Sequence, residues 1–95
     1  MLTTMPDIKF HAMTSGYHKT GSLPDTYTVP RLTKILGLDH LPENPFSYGK
    51  TQYEWTFKID GYECAIWDWK GTRWSCFGDA SALKSVFPDY KEGAL

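Results

Sequence analysis

The stretch YEWTFKIDGYECAIWDW, residues 53–69, leaves the chain few ways to fold. Tyr53, Trp55, Phe57 and Ile59 alternate with Glu54, Thr56 and Lys58, the period of a strand with one buried face. Asp60-Gly61 then supplies a two-residue turn whose central residues both take positive φ. Pairing across it sets Ile59 against Tyr62, Phe57 against Cys64, Trp55 against Ile66 and Tyr53 against Asp68. All of these but Asp68 are apolar or aromatic, and all share one face. A one-residue slip would send one strand's set to the other side, so the register is strongly specified.

The hairpin extends in both directions along the chain. TRWSCFG, residues 72–78, reads as a third strand. A three-residue loop, Trp69-Lys70-Gly71, predicts a bulged turn with Ile66 opposite Trp74 and Cys64 opposite Cys76. It keeps Arg73 and Ser75 off the apolar face and places Glu54, Trp67 and Arg73 in one cross-strand row. Asp79 then caps a helix over 80–87 with Leu83, Val86 and Phe87 on one side. Upstream, Thr28, Pro30 and Gly37 bound a helix over 29–36, with Leu32, Ile35 and Leu36 as its stripe. Ile8, Phe10 and Ala12 alternate with Lys9 and His11, a pattern that allows a short strand within 7–13. Residues 14–25 read as a loop, DHLPENPFSYGK at 39–50 as a second, and the tail YKEGAL as loose. The expected fold is therefore α+β, a single domain over 1–95. Its centre is a three-stranded antiparallel β-meander at about 51–78, joined by two short helices.

Composition nominates no partner. Ten Lys+Arg stand against eleven Asp+Glu, so neither a nucleic-acid binder nor an acidic mimic is indicated by bulk charge. Two cysteines are too few for a secreted disulfide scaffold, the N-terminus lacks a signal-peptide pattern, and no apolar run is long enough to span a membrane. A cytoplasmic protein, monomer or homodimer, is the expectation.

No side chains form a recognisable catalytic set, so no catalytic residue and no cofactor is expected. Cys64 and Cys76 can be a disulfide, a reactive pair or two small buried hydrophobes, and burial is the reading adopted. Asp68, the one charge on the apolar face, reads as a rim carboxylate bonded to a hydroxyl or to turn amides. His11, His18 and His40 lack close zinc spacing, so no metal is expected. Lys58 opposite Glu63 predicts a surface ion pair, which contributes about 0.2–1 kcal/mol.

Two surfaces are candidates for binding. Trp67, Trp69, Arg73 and Glu54 form a candidate partner-binding patch, because Trp and Arg are enriched at interface hot spots. The competing expectation is that the N-terminal half folds over Trp67. In the loop GYHKTGS, Lys19, Thr20 and Ser22 are candidate phosphate contacts, although the order departs from a Walker motif.

The run GKTQYEWTFKIDG followed by AIWDWKG resembles a pattern in small uncharacterised bacteriophage proteins. The matching residues are Gly49, Lys50, Glu54, Trp55, Ile66, Trp67, Asp68, Trp69 and Lys70, about a tenth of the chain. The resemblance implies phage origin, and hence the host cell cytoplasm. It brings no activity with it. The leading expectation is a non-enzymatic binding protein, a phage factor that inhibits a host defence protein. The alternative is a nucleotide or nucleic-acid binder that uses residues 16–22 and an exposed tryptophan.

Overall fold

The computed structural model describes residues 6–42, 51–69 and 74–93. Within them the elements run β1 (Ile8–Phe10), β2 (Gly21–Leu23), α1 (Val29–Leu36), β3 (Glu54–Ile59), β4 (Tyr62–Trp67), β5 (Trp74–Phe77), α2 (Ala80–Val86) and β6 (Lys91–Glu92). The strands form one antiparallel sheet in the order β1-β3-β4-β5-β2-β6. The fold is α+β, but its sheet has six strands, and the expected three-stranded meander is only its middle.

The central hairpin follows from its turn. Asp60 and Gly61 take φ of 49° and 88°, and the ladder runs from Ile59↔Tyr62 to Glu54↔Trp67 in the predicted register. β1 adds to the outer edge of β3, with Ile8 opposite Ile59 and Phe10 opposite Phe57. β2 was expected to be loop. It pairs instead with β5, placing Gly21 opposite Cys76 and Leu23 opposite Trp74. The tail expected to be loose supplies β6 and the buried Tyr90. Strands of two or three residues carry no readable period. They exist because their backbone groups find partners on an edge already built.

The β4–β5 pairing also differs from expectation. Ile66 faces Cys76 and Trp67 faces Ser75, two residues along from the predicted register. A shift of two preserves the faces, so Trp74 and Cys76 still point into the core. Gly78 allows it: a Cβ there would lie 2.7 Å from Cys64 Sγ. Trp74 gains a buried partner, since its Nε1–H donates to Tyr27 O at 2.6 Å. Ser75 stands opposite Trp67, in the row where Arg73 was expected. Lys70, Gly71, Thr72 and Arg73 lie outside the described residues, as do 43–50, which include Gly49 and Lys50.

Both helices cover the first sheet face. Thr28 Oγ1 accepts from Arg31 N at 3.2 Å, Gly37 closes α1 at φ 69°, and Asp79 Oδ2 accepts from Ala82 N at 3.0 Å. α2 ends one residue short of the predicted bound, at Val86, and Phe87 turns into the core. Leu32, Leu36, Leu83 and Phe87 meet Trp55, Phe57, Ile66 and Trp74 in one buried cluster. Trp55 and Trp74 pack edge to face at 5.6 Å. Trp55, Phe57 and Trp74 are thus core, with Tyr53 packed partly buried against them, but Tyr62 at the hairpin end stays 55% exposed. Among the described residues no helix is long and apolar enough to cross a membrane.

Candidate functional site

The second sheet face is where the chain has polar groups to offer. Strand alternation places Glu54, Thr56 and Lys58 of β3 there, with Glu63, Ala65 and Trp67 of β4 and Ser75 and Phe77 of β5. Since β1 and β2 flank the β3–β4–β5 meander on opposite sides, residues 11–20 must cross from one to the other. They do so over this face. Tyr17 stands edge-on to Trp67 at 5.3 Å and tilted against Phe77 at 5.6 Å, while His18 meets Phe77 at 6.0 Å. At the start of the crossing, His11 Nε2 lies 2.7 Å from Glu63 Oε2. Glu63 therefore takes His11 as its partner in place of the expected Lys58.

Trp67 is half-buried beneath this crossing, whereas Trp69 is 45% exposed. Glu54 is half-buried beside Trp67 in the ladder. Of the predicted patch, the structure brings Glu54 and Trp67 together, and Arg73 is outside the described residues.

The crossing does not seal the face. Near the outer edge of β3 it leaves an open cavity of about 340 Å³, lined by Phe10, Met13, Tyr17 and Leu41, with Ser15, Glu54 and Thr56 among its polar residues. The edge of β3 is shared here. His11 N donates to Thr56 O, Leu41 N donates to Glu54 O, and the cavity lies where these two segments part. Thr56 is 4% exposed, and its Oγ1 has no hydrogen-bond partner among the described residues. Burial pushes the Glu54 carboxyl above its ordinary range. Phe10, at the rim, is 57% exposed, but it stands opposite Phe57 in the ladder, so its side chain leaves by the first face. The sequence reading had picked out Glu54 but not Phe10, Met13, Tyr17, Leu41 or Thr56. A lone tyrosine in a glycine-rich loop was the one available signal.

The other candidates are placed apart from this cavity. Thr20 Oγ1 accepts from Gly78 N at 3.1 Å and sits within 3.4 Å of Cys76 O, tying the chain to β5. Ser22 belongs to β2 and lines a second cavity of about 450 Å³ with Pro24, Pro88, Asp89, Tyr90 and Lys91. Lys19 and Thr20 do not contribute to that cavity. Asp89 within it already accepts from Tyr27 Oη at 3.3 Å.

Asp68, Cys64 and Cys76 are committed to structure. Asp68 Oδ1 accepts from Gln52 N at 2.9 Å and Tyr53 N at 2.8 Å, capping the hairpin's open end. Cys64 and Cys76 are free, fully buried thiols, and burial pushes both up to about 12. At neutral pH they are protonated, and the thiol is the weak form of that nucleophile. Among the described residues no three metal-ligating side chains converge. No family model, curated protein or solved structure matches the chain.

Proposed function

We propose that this chain is a non-enzymatic binding protein that engages a partner protein through the second sheet face. The observation that carries the reading is the open cavity at the β3 edge. There a half-buried carboxylate and a buried hydroxyl lie beside Met13, Tyr17 and Leu41. Apolar and aromatic side chains around a concave site with a few polar groups are the usual makings of a recognition surface. The burial of both thiols and the bonding of Asp68 to backbone amides support a role without catalysis. The likeness of the Glu54–Lys70 hairpin to small phage proteins supports a host protein as the partner.

The test is capture from bacterial lysate by the wild-type chain, beside a Tyr17→Ser/Glu54→Lys variant of matched thermal stability. The captured protein is then purified and its affinity measured by calorimetry. Loss of about tenfold or more in affinity for the variant supports this surface as the interface. Equal binding by both chains, or no captured protein, rejects it.

A further inference from the structure

We propose that the cavity between residues 12–17 and β3 binds a basic side chain, the guanidinium or ammonium group of an arginine or lysine on the partner polypeptide. This deepens the reading above and rests on it. A buried hydroxyl without a partner is costly, and Thr56, a wall residue of the open cavity, carries a hydroxyl that has no partner among the described residues. Glu54 lines the same wall two residues along the same strand, so both side chains leave one face of β3. Among the described residues no lysine or arginine lines the cavity.

The required occupant follows from these groups. It must carry positive charge for Glu54 and a donor for Thr56, and it must tolerate aromatic walls. An anion would be repelled by Glu54, and a wholly apolar group would leave both polar atoms unpaired. A planar guanidinium has several donors in a fixed fork and bridges two neighbouring acceptors. Its methylene stem suits Met13 and Leu41, and the cation suits the face of Tyr17. The larger cavity beside β2 is a weaker claimant, because Asp89 there already holds the Tyr27 hydroxyl and Lys91 adds a cation of its own.

The experiment is an NMR titration of the full chain with n-butylguanidinium, beside the neutral n-butylurea of similar shape. Saturable shifts at the amides of Glu54, Thr56 and Tyr17 with the cation, and none with the urea, are expected. Glu54→Gln should weaken cation binding about tenfold or more, and Thr56→Val should weaken it less. Absence of saturable shifts with the cation, equal shifts with the urea, or full affinity in Glu54→Gln overturns the assignment. The wild-type comparison of the two probes holds even if a variant folds poorly. A captured partner that binds through the Tyr17/Glu54 surface, with no butylguanidinium binding, would leave the binding-protein reading standing and this inference rejected. Cation binding with no captured partner would do the reverse.

Discussion

At Gly78 the backbone takes φ of 142°, a conformation that side-chain-bearing residues rarely adopt, and the space above its α-carbon is filled by Cys64 Sγ. Both facts oppose any Cβ. Gly78→Ala is expected to lower stability by about 2 kcal/mol or more, read from urea unfolding. Glu54 makes a different residue-scale prediction. Burial raises its carboxyl in the folded state, so the folded chain holds that proton more tightly than the unfolded chain. The contribution is fully present below the unfolded value and is lost as pH rises through the folded value. Stability relative to Glu54→Gln should therefore decline as pH rises from acid across that window, as measured by parallel urea titrations. A difference that grows with pH would contradict desolvation as the cause. Sequence alternation was enough to place Glu54 on the second face. It could not reveal the desolvation, which comes from residues 12–17 and Leu41 lying against it.

The elements divide by how locally they are specified. Thr28, Pro30 and Gly37 cap α1, and Asp79 caps α2, so both helices were readable from short stretches. Asp60-Gly61 did the same for the β3–β4 hairpin. β2 and β6 have no such signals: a Gly-Ser-Leu triplet and a Lys-Glu pair become strands only against β5 and each other. The β4–β5 register escaped for a related reason. Turn chemistry at Gly71 suggested one pairing, but core packing of Trp74 and the fit of Gly78 against Cys64 favoured another of the same parity. Tyr90, at the end that reads as loose, is 4% exposed and packs over the α-carbon of Gly21. Tyr90→Ala should cost about 3 kcal/mol, comparable with deletion of a core aromatic. A change in thermal midpoint no larger than that of an exposed substitution such as Lys84→Ala would refute the burial.

Across the whole molecule, the sheet is assembled from distant parts of the chain. Ile8 pairs with Ile59 and Gly21 with Cys76, so long loops must close before β1 and β2 gain their hydrogen bonds. Refolding is expected on the millisecond-to-second scale typical of non-local β topologies, roughly as for sandwich-like domains. Stopped-flow tryptophan fluorescence measures it, since Trp55 and Trp74 lie in the core; microsecond refolding would contradict the topology. The same connectivity builds the candidate site. Residues 11–20 cross the second face because β1 and β2 flank the meander on opposite sides, and the cavity forms beneath part of that crossing. Helix caps, the Asp60-Gly61 turn and the aromatic period act within a few residues, so the amino-acid order alone specifies two helices, a hairpin and its buried face. The six-stranded order and the placing of Tyr17 over Trp67 depend on contacts between residues about fifty apart in the chain, and the β4–β5 register on Trp74 meeting Tyr27 and Gly78 meeting Cys64. Their free energy comes from backbone pairing and burial that exist only once the chain has closed on itself.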